Sequence, residues 1–85
     1  MKRIGMIGGF GPEATLDYYR LLIDEYRRVQ GEGSLPEILI YSLDVYALFN
    51  LIEQKRWNDL TDYLLNGINI LAKAGSDFGF ISANT

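Results

Sequence analysis

Ile4-Gly5-Met6-Ile7-Gly8-Gly9-Phe10-Gly11-Pro12-Glu13-Ala14-Thr15 is the stretch on which the fold turns. The short apolar run from Ile4 to Ile7 stops at two glycines and shows no alternation of polar and apolar residues. That pattern suits a strand buried on both faces, as in parallel sheets. Gly8 to Thr15 then forms a glycine-rich turn containing Pro12. Proline is favoured in the first turn of a helix, where its missing N–H is least missed. A buried strand, a tight turn and a helix together begin an α/β unit.

The rest of the chain extends that unit. From about Ala14 the apolar positions Leu16, Tyr19, Leu22, Ile23, Tyr26 and Val29 recur at steps of three and four, which predicts a helix face. Gly31 to Gly33 ends it. Pro36 to Ser42 reads as a second buried strand, with Pro36 at its start, where a lost donor is tolerable. Asp44 can cap a short helix carrying Leu48, Leu51 and Ile52. Leu60, Tyr63, Leu64, Gly67, Ile68, Leu71 and Ala74 form a long helical stripe, and Gly75 supplies its stop. Asp77 to Ile81 is a third strand, running into Ser82-Ala83-Asn84-Thr85.

The order β-α-β-α-α-β implies a parallel sheet with right-handed connections. The expected α/β fold is a doubly wound parallel three-layer sheet with strand order 2-1-3. The chain stops straight after a strand, where such folds usually continue into a turn and a helix. Residues 1–85 are therefore expected to be the N-terminal part of a larger α/β domain.

Composition narrows the function classes. A net charge of −3, with Arg27-Arg28 and Lys55-Arg56 as the basic pairs, argues against a nucleic-acid partner, because phosphate binding wants a basic face. With no cysteine and no histidine, these residues offer no disulfide framework, no zinc site of the usual kind and no Ser–His or Cys–His nucleophile pair. The positive start at Met1-Lys2-Arg3 is followed by an apolar run too short for a signal peptide. No stretch reaches the ~18 apolar residues of a membrane span. The expectation is a cytoplasmic protein with no membrane partner.

In open parallel sheets, ligands bind beyond the carboxyl ends of the strands. Three segments fall there: Gly8 to Thr15, Ser42 to Tyr46, and Ser82 to Thr85. Gly9-Phe10-Gly11-Pro12-Glu13-Ala14 loosely matches a dinucleotide-binding pattern, but the acid expected early after it is missing and the nearest, Asp44, comes much later. Two readings of the glycines stand: a tight turn without a ligand, or exposed N–H groups at a helix N-terminus that hold a carboxylate. Asn84 and Thr85 can hydrogen-bond an amino-acid carboxylate or ammonium without adding charge, and they are also ordinary turn residues. Ser42 and Asp44 suit a turn and a cap as well as they suit substrate contact. The aromatic residues, including Tyr18, Tyr63 and Phe80, are expected in packing rather than in a site. Trp57 follows a basic pair and is a candidate for an exposed or subunit-facing surface.

The segment Lys2 to Thr15 resembles the opening of the aspartate/glutamate racemases, which begin with a strand and a Gly-Gly-Met-Gly-Pro-like loop. Tyr18-Tyr19-Arg20, Ile40-Tyr41-Ser42-Leu43-Asp44 and Ala72-Lys73-Ala74-Gly75-Ser76-Asp77 are similar to that family too. Ala83-Asn84-Thr85 falls where the family has Cys-Asn-Thr, or Thr-Asn-Thr in some members. The resemblance spans essentially the whole chain. It implies an enzyme that needs no pyridoxal phosphate, no other cofactor and no metal, made of two similar domains. It implies an isomerase in which a thiolate from one half takes the α-proton of an amino acid while a thiol from the other half returns one. It further implies a small amino acid or dicarboxylate as substrate and a homodimer as the full-length state. Carried over residue by residue, the substrate contacts would be Phe10, Gly11, Pro12, Asn84 and Thr85, with Ser42 at the second strand's rim and Ala83 counted among the expected substrate-binding residues. Ala83 occupies the place of the first cysteine. A methyl group neither takes nor gives a proton, so the resemblance carries no catalytic residue onto this chain. The departure leaves two other functions open: a one-cysteine, decarboxylase-like relative and a non-catalytic carboxylate-binding protein.

Overall fold

The computed structural model describes residues 2–82. Its elements are β1 (Arg3–Gly8), α1 (Pro12–Gln30), β2 (Glu37–Ser42), α2 (Val45–Glu53), α3 (Trp57–Lys73) and β3 (Phe78–Ile81). The three strands form one parallel sheet in the expected order β2-β1-β3. Gly8 stands beside Ser42 in the register, and Ile7 stands beside both Tyr41 and Ile81, so the strands end together.

Side-chain alternation divides the helices between the two faces. Ile7 points to the α3 side, where it clusters with Leu43 and Leu71, and where Leu39, Tyr41, Tyr63 and Leu64 pack against it. Met6 and Gly8 point the other way, towards α1. There Tyr18 meets Phe80 of β3 with ring centroids 5.8 Å apart. The chain steps from β1 to β2 on one side and from β2 past β1 to β3 on the other. With a single crossover hand, those opposite steps place α1 and α3 on opposite faces.

The ends of the helices follow local chemistry. Asp44 caps α2 by accepting from the N–H groups of Tyr46 and Ala47 at 3.0 and 3.3 Å. At the end of α3, Gly75 adopts φ +102° while the N–H of Ser76 donates to Leu71 O and that of Gly75 to Ala72 O. Those two bonds make a Schellman cap, which satisfies carbonyls the helix leaves open. Gly67 lets α3 approach the sheet closely, for a Cβ there would stand 3.1 Å from Ile7 Cδ1 and 3.2 Å from Tyr41 Cδ2.

Two expectations change. Only β1 is buried on both faces; β2 and β3 each have a free edge, and Ile40, Phe78 and Ile81 are exposed. An apolar run therefore marked strands here without marking central ones. The inward line of α1 also differs from the expected stripe. It runs through Ala14, Thr15, Tyr18, Leu22 and Tyr26, leaving Leu16, Tyr19 and Val29 exposed. The turn that precedes the helix sets this rotation by drawing Thr15 inward against Gly8 and Gly9.

Candidate active site at the carboxyl rim of the sheet

The end of β1 is the centre of the rim, and the chain folds onto it from three directions. Gly9, at φ +91°, turns the backbone out of the strand in a conformation that side chains rarely allow. Gly11, at φ +117°, then precedes Pro12, the first residue of α1. Thr15, one turn into the helix, reaches back so that its Oγ1 accepts the Gly9 N–H at 2.9 Å in a buried setting.

The β2 end is held against the same glycines. The N–H of Leu43 donates to Gly8 O at 2.8 Å. A Cβ on Gly9 would lie 2.3 Å from Leu43 O and 2.9 Å from Ser42 Oγ, so these two turns are in direct backbone contact. Tyr63, from α3, adds a brace: its hydroxyl oxygen accepts the Asp44 N–H at 3.0 Å. From the third direction comes Ser82, fully buried, whose N–H and Oγ–H both donate to Ile7 O at 2.9 and 3.1 Å.

The structure thus brings Gly8, Gly9, Ser42, Leu43 and Ser82 together at one end of the sheet. Of the expected contacts, Ser42 is exposed beside Gly9, and Gly11 and Pro12 form the entry to α1. The side chain of Phe10 is partly buried and packs against the core cluster around Ile7, so what this residue offers the rim is its backbone. Ala83, Asn84 and Thr85 lie outside the described residues. Sequence reasoning missed Thr15 and Tyr63. Thr15 is ordinary helix-start chemistry, and Tyr63 falls on an apolar stripe; both owe their place to contacts formed only on folding.

Electrostatically, the rim offers backbone dipoles. Among the described residues, no acceptor pairs with the N–H of Phe10, Gly11 or Glu13, and these sit at the positive end of the α1 dipole. Exposed N–H groups at a helix start suit a carboxylate. The displaced titrations lie elsewhere. Arg3 is held above the usual guanidinium range by its hydrogen bond to Glu37, at the opposite end of the strands. The Glu25 carboxyl is pulled below its usual range by the hydrogen bond from Arg28 on exposed α1.

Clefts also lie elsewhere among the described residues, and two of them are well formed. One, of about 510 Å³, runs between α3 and β3 and is lined by Ile68, Leu71, Phe80 and Ile81 among others, with little polar surface. The other, about 620 Å³, opens between α2 and α3 next to Asn50, Asp62 and Tyr63. The first is lined by no titratable side chain; the second includes Asp62, Tyr63 and Asp59, the last paired with Arg56. The rim remains the candidate site because it lies at the carboxyl ends of the strands. No group of three acidic residues that could hold a metal ion occurs among the described residues. No helix among them is long and apolar enough to cross a membrane.

This is an open parallel α/β sheet with its candidate site at the carboxyl rim. Comparison with known proteins makes that class specific. The chain aligns over 99% of its length with a candidate Asp/Glu racemase from Yersinia pestis, at 28% identity and a TM-score of 0.93. It aligns equally fully with an aspartate racemase homologue from Pyrococcus horikoshii OT3, at 36% identity and a TM-score of 0.86. In both cases it spans 36% of the longer chain. In fold and sequence the chain is thus similar to about a third of each of these two racemase homologues. No family model matches it.

Proposed function

We propose that this chain belongs to a cofactor-independent, racemase-type isomerase that acts at the α-carbon of a small acidic amino acid. The observation that carries this reading is the convergence of the strand ends on N–H groups without acceptors among the described residues, in a chain that aligns over 99% of its length with racemase homologues. In this proposal the Phe10–Pro12 turn and Ser42, with Asn84 and Thr85, hold the substrate carboxylate and ammonium. No pyridoxal phosphate and no metal takes part. The rest of the domain, a second similar domain, assembly as a homodimer and a cytoplasmic location belong to the same proposal. Exposed Tyr46, Phe49 and Trp57 provide apolar surface consistent with association.

The α-proton of an amino acid is very weakly acidic, so burial, proximity and hydrogen bonds to the carboxylate must lower most of the barrier. Inversion then needs an acid on the face opposite the base. In the resemblance Ala83 holds that acid's place, and the neighbouring Ser82 does not replace it, because its buried hydroxyl donates to Ile7 O. A thiolate elsewhere in the protein could still take the proton and give it back from its own side. The expected outcome for the natural full-length protein is exchange of the aspartate α-hydrogen with solvent deuterium, without inversion. Ala83→Cys should bring inversion, since proton return demands a donor within reach. Deuterium incorporation and optical rotation, followed together, test this. Racemisation by the unmodified protein at the same rate as by its Ala83→Cys variant would refute the role given to Ala83.

The same residue favours a second reading, a carboxylate-binding protein without turnover. Aspartate binding with no α-hydrogen exchange would select it. A one-thiol, decarboxylase-like enzyme would instead release carbon dioxide from a substituted malonate.

A further inference from the structure

Thr15 stands in the first turn of α1, where polar side chains usually face solvent or cap the helix, yet it is only 9% exposed. Its hydroxyl oxygen accepts the N–H of Gly9, six residues back, at 2.9 Å. Its methyl lies on the other glycine: a Cβ added to Gly8 would stand 2.7 Å from Thr15 Oγ1 and 2.8 Å from Cγ2. From the opposite side Gly9 rests on the backbone of Leu43. The turn is therefore clamped between one side chain of α1 and the end of β2. The clamp draws the Gly9 N–H inward and leaves those of Phe10, Gly11 and Glu13 without acceptors among the described residues.

We infer that Thr15 is a positioning residue: through the Gly9 N–H it sets the turn whose outward N–H groups receive the substrate carboxylate. The inference rests on the carboxylate-binding reading of the rim and adds the residue that fixes the rim's geometry. Donors held in place before the ligand arrives bind more tightly than donors that must first be ordered. A displacement on the order of 1 Å in such a site can cost about a hundredfold. The side chain couples two separable features, an acceptor for Gly9 and a methyl that fills space against Gly8. Thr15→Val removes the first and keeps the shape; Thr15→Ser keeps the first and removes the methyl.

The experiment measures aspartate affinity by calorimetry and the melting temperature, for the natural full-length protein and both variants. Thr15→Val should weaken binding about tenfold or more, whereas Thr15→Ser should bind within about threefold of the natural protein even if it melts earlier. Affinity that follows melting temperature across the series, or Thr15→Val binding like the natural protein, overturns the inference. Amide NMR of the unmodified protein gives a second test, independent of whether a variant folds. On addition of aspartate the Phe10 and Gly11 amide signals should shift while that of Gly9 stays; a Gly9 shift as large as theirs also overturns it. Failure of the unmodified protein to bind aspartate at all would sink the carboxylate reading and this inference with it. Intact binding with an unaffected Thr15→Val variant would sink the inference alone.

Discussion

Replacing Gly9 by alanine should damage this fold far more than the same change at Gly11, although both residues have a positive φ, +91° and +117°. An L-residue forced to positive φ loses ~1–2 kcal/mol. Part of this is returned, ~0.4–1 kcal/mol, because alanine has less freedom than glycine in the unfolded chain. At Gly11 a methyl would meet nothing within 4 Å, so the net cost stays near 1 kcal/mol. At Gly9 the new carbon would stand 2.3 Å from Leu43 O and 2.6 Å from Leu43 N, both backbone atoms that no rotamer change can move. Relief requires parting the turn from the end of β2. That loosens the Leu43–Gly8 and Gly9–Thr15 hydrogen bonds, of 2.8 and 2.9 Å. Each buried donor left unpaired costs ~1–3 kcal/mol, which brings Gly9→Ala to roughly 3–7 kcal/mol. The whole stability of a small domain is ~5–15 kcal/mol, so that variant should be close to unfolding. Urea denaturation followed by far-ultraviolet circular dichroism gives both values. If Gly9→Ala unfolds at the same midpoint and slope as Gly11→Ala, the contact between the two turns is not what holds the rim together.

Two further outcomes follow from the same geometry. Asp44→Ala should cost ~0.5–2 kcal/mol through the lost α2 cap, and Tyr63→Phe about 1 kcal/mol through the unpaired Asp44 N–H. Because both changes act on one junction, the double variant measured by thermal melting should be non-additive; simple additivity would show that the cap and the brace act independently. The free edge of β3, with Phe78 and Ile81 about half exposed, should drive association of the isolated 85-residue chain. Sedimentation should show Phe78→Lys with Ile81→Lys shifting that chain towards monomer, and an unchanged distribution would move the sticky surface elsewhere.

Sequence periodicity and punctuation by themselves determined the elements, their order along the chain and the parallel sense of the sheet. Those features are set within a few residues, by Gly8-Gly9 ending a buried run, Pro12 opening a helix, Asp44 capping one and Gly75 closing another. The family likeness was legible for a similar reason, since its motifs are contiguous. Only the tertiary structure showed that Ile40, Phe78 and Ile81 stay exposed, because an apolar run looks alike whether or not its strand is covered. It alone decided the rotation of α1, where the bond from Gly9 to Thr15 outweighs the wider apolar stripe through Leu16 and Val29. Tyr63 could not be assigned from its stripe either, for its hydroxyl meets Asp44 across 19 positions of chain. Gly67 likewise reads as a weak point in a helix until Ile7 and Tyr41 are seen pressed against it. Propensity and capping act through neighbouring residues and can be read along the chain. Close approach and hydrogen bonds between distant segments exist only once the sheet has brought those segments together.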